Sequence, residues 1–123
     1  MNIRKYAAEA QSTNTVGRVL CAARDQHFVI DGPVQNGCPG EAVTPPEAFL
    51  VAVASCGIEL VQVIARELSL PVPSARVEIE GTVDRDHPVR PDVTLFNEVK
   101  LRFAIQDVSR EQATDLVERF KKR

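Results

Sequence analysis

Read as alternating and helical stripes of apolar residues, the chain resolves into five extended segments and two helices. Residues 3–12 and 18–23 are strand-like on either side of Thr13-Asn14-Thr15-Val16-Gly17, whose Asn and Gly suit a turn, so a hairpin is predicted there. A third short strand follows over 27–30, after Arg24-Asp25-Gln26. The next stretch, 32–46, is rich in Gly and Pro and reads as a loop that delivers the chain to a long helix. That helix is predicted over 44–68. Thr44 stands as N-cap, Pro45 takes the first helical position, and Glu47 three residues after the cap completes a capping box. At about 100° per residue, Phe49, Ala52, Val53, Cys56, Leu60 and Val63 fall on one stripe, which turns Cys56 toward the core or a partner. The other side carries little charge before Glu59, Gln62, Arg66 and Glu67, so a central helix covered nearly all round is expected. Glu59 and Gln62 interrupt the apolar run and no basic flank precedes it, which argues against a membrane span.

Pro71 and Pro73 end this helix. Residues 75–84 then alternate, with Val77, Ile79 and Val83 opposite Arg76, Glu78, Glu80 and Thr82. A turn around Asp86-His87-Pro88 and Pro91 leads to a second alternating run over 95–105. There Val99, Leu101, Phe103 and Ile105 oppose Glu98, Lys100 and Arg102, and antiparallel pairing of the two runs is predicted. Ser109 and Gln112 form a second capping box before a final amphipathic helix with Ala113, Leu116, Val117 and Phe120 on its apolar side. Strands, long helix, strands, short helix is the order of an α+β fold with antiparallel sheets packed around a long buried central helix. A chain of 123 residues fits one domain, 1–123. It can hardly cover such a helix alone, so a homodimer in which two of these helices shield each other is expected.

Charge narrows the partners. Fifteen basic and 17 acidic residues leave a net charge of -2, and the basic residues are scattered apart from Lys121, Lys122 and Arg123, so nucleic acid is not an expected partner. The N-terminal residues mix Arg4, Lys5 and Glu9 without an apolar core segment, which predicts a cytoplasmic protein with no membrane partner. Three cysteines with no CxxC and no histidine at ligand spacing support neither a disulfide framework nor a metal site; no metal and no cofactor are expected. Cys21 reads as packing within a strand and Cys38 as a loop thiol. His27 and His87 read as surface residues, and the basic C-terminal residues as a solvated helix end. Cys56 is either a buried, inert sulfur or a reactive one.

The run TPPEAFLVAVASC, residues 44–56, resembles the signature of the OsmC/Ohr superfamily of osmotically inducible and organic hydroperoxide resistance proteins, a Pro-x-Glu followed by an apolar helix and a Cys. The resemblance extends over nearly the whole chain, including LPVPSARVEIEG at 70–81, and lies nearer the broad OsmC-like branch than the peroxidase branches. It implies an intertwined homodimer with a thiol site at each subunit interface. It also implies a thiol-dependent peroxidase in which Cys56 attacks an organic hydroperoxide or hydrogen peroxide and a thiol or dithiol reductant restores it. An arginine on the first hairpin would hold the thiolate: Arg18 is the match, with Arg24 as the fallback. Glu47 would align that arginine or serve only as its helix cap. The family's aligning carboxylate stands ten residues before the cysteine, where this chain has Pro46; Glu47 stands nine before Cys56, about two and a half helical turns away. The second cysteine of the family, in a Cys-Pro pair after the last helix, has no counterpart before Arg123; either the chain given is shortened at its C-terminus or another thiol serves, with Cys38 as the candidate. The competing expectation is a non-catalytic OsmC-like protein that binds a hydrophobic small molecule at the dimer interface, with Cys56 in its lining.

Overall fold

Two antiparallel hairpin systems and two helices make up the protein in a computed structural model that describes residues 2–123. The chain divides into two compact units, Met1–Phe49 and Leu50–Arg123.

The first unit is a three-stranded meander of β1 (Glu9–Ser12), β2 (Arg18–Ala23) and β3 (Gln26–Asp31), in that order across the sheet. β1 is much shorter than the strand predicted over 3–12, and the register gives the reason. Glu9 pairs with Ala22, and β2 turns back at Arg24-Asp25, so residues before Glu9 run past the end of the ladder with no strand to pair with. Arg24 takes a left-handed φ of 55° in that two-residue turn. After β3 the predicted loop contains one 3-10 turn, Val34–Asn36, closed by Gly37 at φ 74°. The loop then folds back along β3, with Asp31 N donating to Val43 O and Gly32 N to Gly17 O. Asp31 is the only buried residue among those described in this unit.

The long helix α1 (Pro45–Glu67) begins where Thr44 and Pro45 place it. Only one half of the expected capping box forms: Thr44 N and Thr44 Oγ1 both donate to Glu47 Oε1, at 2.9 and 2.8 Å. The Thr44 hydroxyl is thus spent as a donor. At the other end the chain leaves α1 through a Schellman-type motif, Leu70 N donating to Ala65 O with Ser69 at φ 57°. Termination therefore precedes Pro71, and it turns Leu70 back onto the core.

In the second unit α1 packs with β4 (Ala75–Thr82), β5 (Glu98–Ile105) and α2 (Arg110–Phe120). β4 and β5 pair antiparallel as predicted. Val77 lies opposite Phe103, Ile79 opposite Leu101 and Ala75 opposite Ile105, so the apolar positions of both strands share one face. β4 ends at Thr82 and β5 begins only at Glu98, both short of what their alternation suggests, and Val83 and Leu95 lie exposed in the connection between them. α2 opens on a complete capping box between Ser109 and Gln112. Val61, Ile64, Ala65 and Leu116 form the buried core, and Leu60, Leu70, Phe103, Ile105 and Phe120 pack around it. Gly57 lies under the Phe103 and Phe120 rings, which meet edge to face at 5.8 Å.

This core shows which side of α1 a single chain covers. The helix is not covered nearly all round within one chain: its buried residues are Gly57, Val61, Ile64 and Ala65. The residue facing the core is Gly57, not Cys56. One residue is about 100° of rotation, so with Gly57 turned inward, Cys56 falls on the exposed side with Ala52, Ser55 and Glu59. By length and composition α1 is the one helix among the described residues able to cross a bilayer. Its C-terminal half instead belongs to the packed core, where Gln62 Nε2 donates to the carbonyl of Pro73. Leu116, fully buried at the centre of that core, sets its stability. Leu116→Ala is expected to lower the unfolding free energy by about 2–5 kcal/mol, measured by urea denaturation.

Candidate active site

The β2–β3 register places Arg18 directly opposite Asp31 on one face of the meander, where their side chains meet. Arg18 Nε donates to Asp31 Oδ1 at 2.8 Å and Arg18 Nη2 to Asp31 Oδ2 at 2.9 Å, a bidentate pair. The folded-back loop adds the backbone N–H groups of Glu41 and Ala42, which donate to the same Oδ2 at 3.0 and 2.9 Å. Asp31 is fully buried and both its oxygens are used. Arg18 is a third exposed, and its Nη2 also donates to Glu41 Oε1 at 3.2 Å, from a glutamate that is 78% exposed.

These contacts set the protonation states. The Arg18 guanidinium, first of all, holds the Asp31 carboxyl well below the usual carboxylate range; desolvation opposes this, and the Ala42 and Glu41 amides add to it. Asp31 in turn is the main reason that Arg18 holds its proton more tightly than a free arginine, with Glu41 second. Glu47 is also held low, by the Thr44 amide and hydroxyl that donate to it.

Two glycines and a cysteine brace the cluster. Gly17, just before Arg18, has φ 86°, and Gly32 follows Asp31. A Cβ on either would collide with the Cys38 side chain, so the thiol occupies the space that the two glycines leave. Cys38, proposed from sequence as a loop thiol, is accordingly half-buried, and its Sγ lies 3.7 Å from the Asn36 carbonyl. Cys21 is half-buried in β2 and Arg24 is exposed in the β2–β3 turn.

Cys56 lies in the second unit, in the middle of α1. It is the exposed member of the three free cysteines. Glu59, one turn further along, is also exposed. The structure thus brings Arg18 together with Asp31 and Glu41, two carboxylates that sequence reasoning passed over. The signal for Asp31 was present in the length of the β2–β3 hairpin: counting outward from Arg24-Asp25 pairs residue 18 with residue 31. Glu47, expected either to align Arg18 or to serve only as helix cap, accepts from Thr44 at the helix start. Among the described residues no group of three or more His, Cys, Asp or Glu side chains is placed to hold a metal ion.

In fold the protein is an α+β protein of the OsmC-like type. An OsmC-like protein of unknown function from Vibrio cholerae superimposes with a TM-score of 0.82 at 14% identity, covering 98% of this chain and 89% of that one. An OsmC-like protein from Mycoplasma pneumoniae gives 0.81 at 16% identity, covering 98% and 82%. A Legionella pneumophila structure described as an organic hydroperoxide resistance protein, OsmC, gives 0.74 at 17% identity, covering 99% and 85%. Among curated proteins none matches the chain in sequence. The family model described as OsmC-like protein matches residues 38–123, and the chain belongs to that family. Cys56 and Glu47 fall within the matched residues; Arg18 precedes them.

The buried pair predicts a pH signature. Because the folded-state pKa of Asp31 is depressed, its contribution to stability is complete above the unfolded value of about 3.9 and is lost as the pH falls through and below that value. Asp31→Asn is expected to be less stable than the wild type at pH 7. The difference between their urea midpoints should narrow steadily from pH 5 to pH 2; a gap that stays constant over that range would show that the Asp31 charge is not what the fold uses.

Proposed function

We propose that this OsmC-like protein is a thiol-dependent peroxidase acting on organic hydroperoxides or hydrogen peroxide, with Cys56 as the nucleophile. The observation that carries the reading is the placement of Cys56: a free, exposed thiol on a helix anchored in a packed core, within the residues matched by the family model. A nucleophile on a rigid element holds its direction of attack, and exposure admits a peroxide. In the reaction the thiolate sulfur attacks one peroxide oxygen and the O–O bond breaks. The alkoxide leaves and takes up a proton, and Cys56 becomes a sulfenic acid. A reductant thiol then condenses with the sulfenic acid, releasing water and forming a mixed disulfide, and a second thiol displaces Cys56 as the free thiol. Arg18 is the proposed thiolate partner; Glu47, occupied at Thr44, is assigned to the helix start. Hydroperoxide resistance is also the description of structural neighbours from Legionella pneumophila and Bacillus subtilis.

The same reading includes a homodimer. The chain exposes 9660 Å². A compact monomer of 13.5 kDa would expose about 6,500 Å², and two units of these sizes standing fully apart would still expose only about 7,800 Å². The excess is of the size that a permanent dimer buries. Val51, 59% exposed, and the Ala52 and Ser55 side of α1 are the surface that a second copy would cover, with Cys56 left in a thiol site at the subunit interface.

With cumene hydroperoxide and a dithiol reductant, the wild type is expected to consume peroxide and Cys56→Ser to fall at least a hundredfold, to background. Equal, negligible rates for the two proteins would end the peroxidase reading. Light scattering should give a particle of about twice the 13.5 kDa chain mass at micromolar concentration. A stable monomer there would remove the dimer.

A further inference from the structure

Within the second unit, the part of α1 that carries Cys56 also carries a single charge. Glu59 stands three residues beyond the cysteine, and both side chains are exposed, on the side of the helix away from the Phe103 and Phe120 rings that pack on Gly57. Residues three apart on a helix are neighbours, with Cβ atoms about 5–6 Å apart. Along α1 no other charged residue stands between Glu47 and Arg66, twelve positions before Glu59 and seven after it. The other polar group beside the thiol is Ser55, and its hydroxyl is spent on the helix itself, donating to the Ala52 carbonyl at 3.1 Å. A reactant that comes to the Cys56 sulfur therefore meets, from this helix, an apolar surface with one fixed anion on it.

We infer that Glu59 is a specificity-determining residue: its carboxylate disfavours anionic reactants at Cys56 and so selects uncharged hydroperoxides as the substrate class. For the identity of the reactant the inference rests on the peroxidase reading above, and it needs no group from the first unit. The physical reason is a difference between two transition states. When the thiolate attacks a neutral hydroperoxide, one negative charge moves from the sulfur to the departing oxygen, and Glu59 opposes that charge about equally before and after. When the hydroperoxide brings a carboxylate of its own, a second negative charge has to come within roughly 6 Å of Glu59, and that repulsion is met only on approach and in the transition state. At an exposed site, like charges at this distance change a rate about threefold in dilute salt. Screening removes most of the effect at 1 M salt, where the Debye length is about 3 Å. A carboxylate also resists being covered, so Glu59 keeps this turn of α1 wet beside apolar residues that a second copy can cover.

Two alkylating reagents of the same size isolate this effect. Iodoacetamide is neutral and iodoacetate is an anion, and the rate of each is followed on the Cys56 peptide by mass spectrometry. Both consume the same thiolate, so the ratio of their rates does not depend on how much of the thiol is ionised. Glu59→Gln is expected to raise the iodoacetate-to-iodoacetamide ratio about threefold at low ionic strength, and Glu59→Lys about tenfold. The wild-type ratio is expected to climb by about the same threefold factor between 0.01 M and 1 M salt, which tests the inference without any substitution. A ratio that is the same in the wild type and both variants overturns it, as does a wild-type ratio that salt leaves unmoved. The two readings fail separately. A ratio that shifts as expected in a protein that consumes no peroxide would remove the peroxidase and leave the charge selection at the thiol, whereas turnover through Cys56 with an unmoved ratio would do the reverse.

Discussion

A carboxylate without access to water, held by one guanidinium and two backbone amides, organises the first unit of this protein. Burying a charge is costly unless its hydrogen-bonding capacity is met, and Asp31 meets it with four donated bonds. Three separate stretches of chain have to be in place for that to happen: β2 for Arg18, β3 for Asp31, and the returning loop for the Glu41 and Ala42 amides. The meander buries no other described residue, so this polar junction takes the part that an apolar core takes elsewhere. Gly17 and Gly32 beside it, with Cys38 in the space between, show how closely the loop approaches the strands.

The second unit is built on the opposite principle. Its order comes from apolar packing of one side of α1 against the β4–β5 face and α2, with Gly57 letting two aromatic rings approach the helix. The side of α1 that carries Cys56 takes no part in that packing. A helix this apolar with so little of its surface covered is the physical basis for proposing a second copy.

In the function proposed above the roles fall to two kinds of residue, an exposed thiol at Cys56 and an arginine, Arg18, whose guanidinium is held by Asp31. Most of an arginine's freedom must be removed before it can serve as a directed positive charge, and here a buried acid removes it.

Much of this was legible in the chain itself. Thr44 and Pro45 set the start of α1, Ser109 and Gln112 capped α2, and the alternation through Val77, Ile79, Leu101 and Phe103 specified an antiparallel pair with one apolar face, because each signal is local and its period is set by backbone geometry. The motif at 44–56 likewise pointed to the family. What the tertiary structure alone decided was which side of an almost uniformly apolar helix turns inward, since a stripe containing Gly57 and a stripe containing Cys56 are equally apolar on paper and only the Phe103 and Phe120 rings choose between them. It also decided which acid meets Arg18. Glu47, one position off the family's motif, accepts from Thr44 at the helix start, while strand register, a long-range property, delivered Asp31.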